Sequence, residues 1–113
     1  MSVILTAAGA PIQTVTTATA GAGNAATFPF EAAPSLTMMV DGTFSATLTF
    51  EGTIDQHTWF GVGATKLADG TTVATTTGTG LFAFTNTGLA AVRARCSAFT
   101  SGAADISAGR GLW

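Results

Sequence analysis

Charge is scarce in this sequence. Four Lys or Arg and six Asp or Glu make 9% of 113 residues, against about 25% in ordinary soluble domains. The net charge of -2 leaves no cationic footprint for a phosphate backbone, so no nucleic-acid partner is expected. One Cys cannot close an internal disulfide, and one Cys with one His cannot build a structural zinc site. Helix signals are missing too, because no window keeps apolar residues at a 3.6-residue period. The opening MSVILTAAGA has no Lys or Arg, and its apolar run at 3–5 is shorter than the roughly 7–15 residues of a signal core. No export signal is expected. Mean hydropathy is positive, yet Thr or Gly breaks every run well before the ~18 consecutive apolar residues of a membrane helix. No membrane partner is expected either.

What fills the chain is 22 Thr, 22 Ala and 14 Gly, together 58 residues, with eight Phe and two Trp among the 47% that are hydrophobic. That is enough to bury one core, and the length leaves room for only one. A chain this poor in charge either shows water a neutral Thr-rich surface or covers much of it with partners, which points to assembly.

Strand patterns are plentiful. In 43–51, Phe44, Ala46, Leu48 and Phe50 alternate with Thr43, Ser45, Thr47, Thr49 and Glu51, so one face is core and the other wet. In 90–99, Val92, Ala94, Cys96 and Ala98 point one way and Arg93, Arg95 and Ser97 the other. Shorter strands are read at 36–40, 58–62, 71–75 and 81–85, and weaker ones at 2–5, 12–16 and 104–107. Asp41-Gly42 and Asp69-Gly70 supply the positive φ of tight hairpins. Asn86-Thr87-Gly88 and Thr100-Ser101-Gly102 punctuate the later strands. This spacing predicts an all-β fold, a single antiparallel β-sandwich or jelly roll of about eight strands with an extended N-terminal segment. Residues 1-34, Ala- and Thr-rich with Pro11, Pro29 and Pro34, read as an extended N-terminal arm or as edge strands. Residues 35-113 read as the β-sandwich domain.

Motifs for chemistry are few. Residues 21–26 match a loose GxGxxA pattern, but no buried strand precedes it and no helix follows, so a flexible loop is the reading and no cofactor is expected. Asp55, His57 and Glu51 are close in sequence, yet Asp55-Gln56-His57-Thr58 reads as a turn in which Asp caps its own backbone. No second His exists to orient a base, and no catalytic or metal site is expected. Trp59 and Phe60 occupy adjacent positions, so one is expected in the core and the other free to stack on a sugar or fill an interface. The lack of Tyr weighs against a sugar site. Cys96 reads as a small buried hydrophobe. Arg93 and Arg95 share the opposite face, where they pair with a carboxylate such as Glu51 or meet an acidic partner. His57, Trp59, Phe60, Arg93 and Arg95 are therefore the candidate glycan or partner contacts.

The segment TFSATLTFEGTIDQHTWFGV at 43–62, with AVRARCSAFTSG at 91–102 and TTTGTGLFAF at 75–84, resembles a pattern of small β-sandwich structural proteins of tailed bacteriophages, decoration or cement and tail-associated. The likeness covers roughly 36–107. Gln56 stands where such turns usually have Gly, and Phe99 replaces a frequent Tyr. The resemblance implies a virion protein, assembled in the bacterial cytoplasm, that is not an enzyme. It would bridge shell subunits as a decoration or cement protein. Its partners would be itself, as a homo-oligomer and by analogy a trimer, and the major capsid or another virion protein. An N-terminal arm would contact a neighbouring subunit. The rival expectation is a carbohydrate-binding adhesin module of a tail or fibre.

Overall fold

Two strands in the computed structural model are too long for the molecule to hold them straight. They are β3 (Ser35–Thr53) and β9 (Ala91–Gly111). At about 3.3 Å per residue a 19-residue strand would reach roughly 60 Å, whereas the longest dimension of the protein is 42 Å. Both must bend, and the bend makes the core. The structure describes residues 25–111 and, as backbone, the strand at 11–17. The other strands are β1 (Pro11–Thr17), β2 (Ala25–Pro29), β4 (Phe60–Gly61), β5 (Ala64–Lys66), β6 (Thr72–Val73), β7 (Thr75–Thr76) and β8 (Gly80–Thr85).

Among the described residues every pairing is antiparallel, and nine strands form one hydrogen-bonded sheet ordered β1-β9-β3-β8-β5-β6, with β2 added to β9 and β4 and β7 added to β3. The fold is all-β and antiparallel, as expected, and the nine strands among the described residues agree with the about eight anticipated. Each residue of β3 has a partner in β9, from Ser35 opposite Gly111 to Thr53 opposite Ala91. The 21 residues of β9 exceed the 19 of β3 by the two bulges, which leave Ser97 and Thr100 without partners in the ladder. Two extra residues restore the alternation, so even positions point inward on both sides of the bulged stretch. Between the bulges the parity is reversed. Phe99 therefore packs on the core while Ala98, expected inward beside Cys96, is exposed.

The bend lies where two hairpin signals were read. Asp41-Gly42 does not end a strand, and neither does Thr100-Ser101-Gly102; both lie within the long pair. Gly42 and Gly102 adopt φ of 101° and 86°, a conformation that L side chains resist. A Cβ on Gly42 would lie 2.5 Å from the Ala103 carbonyl oxygen, and one on Gly102 would collide with the backbone of Thr43 and Phe44. The positive φ that Asp-Gly offers a type I′ turn serves here to fold a strand pair over itself. The other two signals do mark turns. Gly70 (φ 78°) donates its N–H to the Lys66 carbonyl, 2.8 Å, in the β5–β6 connection. Asn86 Oδ1 accepts the N–H groups of Gly88 (2.9 Å) and Leu89 (3.0 Å) between β8 and β9.

Folding the sheet over brings its two ends face to face. Phe50, from one end of β3, meets Phe82 and Phe84, which β8 sets beside the other end, at ring-centroid distances of 5.0 and 5.5 Å. Leu36, Met38, Val40, Leu48, Val92, Cys96 and Ile106 complete the core. Phe44, expected in the core, is only half-buried because it sits at the bend opposite Gly102. Within 1-34, β1 and β2 extend the two ends of β9, and Phe28 and Phe30 are fully buried. The expected strand at 2–5 and most of the 21–26 loop lie outside the described residues.

Gly102→Ala should cost at least about 2 kcal/mol, combining left-handed strain with a backbone collision. That is comparable with about 2–5 kcal/mol for Leu48→Ala in the core. Chemical denaturation of both variants checks this, and a Gly102→Ala protein as stable as the parent would mean that the bend lies elsewhere.

Candidate functional site

The outer face of β3 and β9 beyond the bend carries the charged cluster that the alternation predicts. Glu51 lies directly opposite Arg93, and Thr49, two residues before it, lies opposite Arg95. All project away from the core. Arg93 Nε donates to Glu51 Oε1 at 2.8 Å, and Arg95 Nε approaches both carboxylate oxygens at 3.2 Å. The two guanidinium groups roof the carboxylate so that Glu51 is only 9% exposed. Hydrogen bonds from both Arg side chains take the place of the water that this roof keeps from the carboxylate. Thr49 Oγ1 donates to Ser97 Oγ at 2.8 Å, extending the polar file.

Trp59 joins this face. The pairing of β4 with β3 sets Gly61 opposite Glu51, and Trp59 shares that outward parity, so the Arg93 guanidinium stacks over the indole at 4.2 Å. Trp59 is half-buried and Phe60 is 70% exposed. Neither belongs to the core, contrary to the expectation for one of them, because β4 is two residues long and covers only the rim of the sheet.

The turn at 53–58 is the capped one that Asp55 announces. Asp55 Oδ1 accepts the His57 and Thr58 N–H groups, both at 2.8 Å, and the Thr53 hydroxyl at 3.0 Å. The Thr53 oxygen accepts the Gln56 N–H at 2.9 Å. The Thr58 and His57 backbone bonds, followed by the Thr53 hydroxyl, lower the Asp55 pKa from 3.8 to about 2. Gln56 has φ of 62°, the left-handed conformation that accounts for Gly at this place in similar turns. His57 points into solvent, far from any buried setting, while Cys96 lies in the core with its Sγ 3.4 Å from the Ala98 carbonyl oxygen. Among the described residues no three His, Cys, Asp or Glu side chains gather as metal ligands would. None of them forms a helix long and apolar enough to cross a membrane.

Two apolar grooves escaped the sequence reading. One, of about 450 Å³, lies beside the capped turn; Ile54 (76% exposed) and Phe60 flank it, and Val62 and Leu89 line it. Gly52 forms part of its wall, where a Cβ would press within 3.1–3.2 Å of Val62 and Leu89. The other, of about 390 Å³, is on the outer face of the β9-β3-β8 end of the sheet, with Met39 and Leu81 each 45% exposed. Alternation marks Met39 and Leu81 as outward-facing, while Ile54, at an even position that would face inward, is exposed because it lies just past the end of β3; the Met39–Leu81 pairing is visible only once the strands are paired.

Gln56→Gly should raise stability by roughly 1 kcal/mol by relieving the left-handed strain, as thermal unfolding will register; a loss of stability would contradict it. Because folding depresses the Asp55 pKa below its unfolded value of 3.8, its contribution is present above about pH 4 and lost as pH falls through about 2. Asp55→Asn should flatten stability against pH in that window. An unchanged acid profile would show that the turn does not hold the carboxylate as described.

No family model and no curated protein sequence matches the chain. Solved structures do. PBSX exported protein XepA superposes with a TM-score of 0.72 at 22% identity, over 85% of this chain and 37% of its own. The SPBc2 prophage-derived protein YomS superposes with a TM-score of 0.66 at 17% identity, over 96% of this chain and 98% of its own. This chain thus spans little more than a third of XepA and nearly all of YomS, and its curled antiparallel sheet is a fold that occurs in phage-derived proteins.

Proposed function

We propose that this chain is a structural protein of a bacteriophage particle and that it serves there as a capsid decoration or cement protein. The observation that carries the reading is the fold held in common with two phage-derived proteins, one of them along 98% of its length. The surface supports it. Ile54 and Phe60 stand out beside an apolar groove, while two of the four cations are spent on Glu51. Such a surface gains most by burying apolar area against another protein. The action is mechanical: contact area is added between shell subunits, first with copies of this chain, by analogy as a trimer, and then with the major capsid protein. The virion is its location. The role makes and breaks no bond, so the chain is taken as a non-enzyme without a cofactor.

A carbohydrate-binding module of a tail or fibre is the second reading, favoured by the exposed ring of Phe60 close in sequence to the exposed His57. Trp59 already has Arg93 over its ring, and Asp55 Oδ1 is taken by the turn. Fewer groups are left to orient a sugar than a glycan site requires.

Mass spectrometry of purified particles of the encoding phage should find the chain in numbers comparable with the major capsid protein. Ile54→Ser with Phe60→Ser should weaken particle binding at least tenfold while leaving the unfolding temperature nearly unchanged, since both are surface positions. Absence from particles, together with specific glycan binding by the free protein, would replace the decoration reading with the adhesin one.

A further inference from the structure

One carboxylate holds two guanidinium groups on the outer face of β3 and β9, so the Glu51 cluster keeps one positive charge in surplus. Glu51 engages only the Nε of each Arg. Among the described residues the Nη groups of Arg93 and Arg95 have no hydrogen-bond partner. Their side chains are 23% and 35% exposed, and the Trp59 ring lies against the Arg93 guanidinium and keeps it in place. The neighbouring strands add no charge: Thr27 of β2 lies opposite Arg93, Ala25 opposite Arg95, and Thr75 of β7 opposite Thr49. A protein that covers this face takes water from the Nη groups, and a charge buried without a partner is strongly destabilising. The covering protein must therefore bring a negative charge, and a carboxylate matches the guanidinium fork.

The chain carries such a carboxylate elsewhere on its own surface. Every charged side chain lies within 25–111. Arg110 is held by Glu31, Lys66 acts on Asp69 in its own turn, and Asp55 is enclosed by backbone N–H groups. Negative charge is most concentrated at the bend, where Asp41 and Asp105 are exposed and lie directly opposite each other in the β3–β9 ladder. Like charges so placed weaken a strand pair, and a cation brought from outside relieves them. Asp41 forms no ion pair with the cluster of its own chain. Eight residues of β3 and the bend at Gly42 separate it from Thr49, which faces Arg95.

We infer that the Arg93–Arg95 cluster of one copy receives the Asp41 carboxylate of a second copy. The inference rests on the assembly reading above and names a contact between copies, leaving the rim groove to the shell. It joins two different patches, so the contact is heterologous, and its repetition closes a ring when the rotation allows. A ring of three agrees with the trimer taken by analogy.

The test follows self-association of the full chain by sedimentation. Asp41→Asn and Arg95→Gln should each weaken it at least about tenfold, as loss of one partner of a desolvated ion pair does. Unfolding temperatures should stay near that of the parent, since Asp41 is exposed and Arg93 still holds Glu51 when Arg95 is changed. The two substitutions together should weaken association little more than the worse one alone, because both remove the same contact. Raising salt from about 0.05 M to about 0.5 M should weaken association of the parent and leave the double variant nearly unchanged. Parental association in both single variants, or losses that add in the double variant, overturns the inference and leaves the assembly reading standing. A parent that stays monomeric at every concentration in low salt overturns both this contact and self-assembly, while binding to particles still decides the shell reading.

Discussion

The β3–β9 ladder is the constraint on which the rest depends. Neither strand fits the molecule unless it bends, and a ladder bends sharply only where backbones approach without Cβ atoms between them. Gly42 and Gly102 provide that approach from opposite strands. The bend turns one face of a single sheet into two facing walls, so that Phe50 finds Phe82 and Phe84. Each half of the long pair then recruits its own edge strands: β1 and β8 on one side of the bend, β2, β4 and β7 on the other. A core assembled this way draws on contacts far apart in sequence, which carries a high loop-closure cost before any burial rewards it.

The sequence made the strands legible because period-two alternation records the face of a residue directly. Leu48, Phe50, Val92 and Cys96 lie where that alternation puts them, and so do Glu51, Arg93 and Arg95 on the other side. The connection between strands was not legible at Asp41-Gly42. A hairpin and a bend both need positive φ at Gly, and only the partner strand distinguishes them. Ala98 was misread for a related reason: a bulge changes parity without leaving a mark in composition. Trp59 and Phe60 were placed correctly on opposite faces, but the sheet ends too soon there to bury either.

The charge economy follows the same geometry. Glu51 holds Arg93 and Arg95, Glu31 meets Arg110, and Asp55 and Asp69 are engaged by their own turns. Charges so committed keep local structure in place and contribute little to long-range steering. On the reading proposed above, recognition of the shell partner falls to shape and apolar area, which lowers its dependence on salt and raises its dependence on fit.

The two apolar grooves are not equivalent. One sits by the loops at the rim, between Ile54 and Phe60; the other lies on the outer face of the sheet, between Met39 and Leu81. On the reading proposed above, the rim groove serves contacts with the shell. Neither groove asks anything of the core, since all four flanking residues lie outside it. That reading also fits a fold whose stability comes from the bent ladder and whose exposed apolar side chains add nothing to that stability unless another protein covers them.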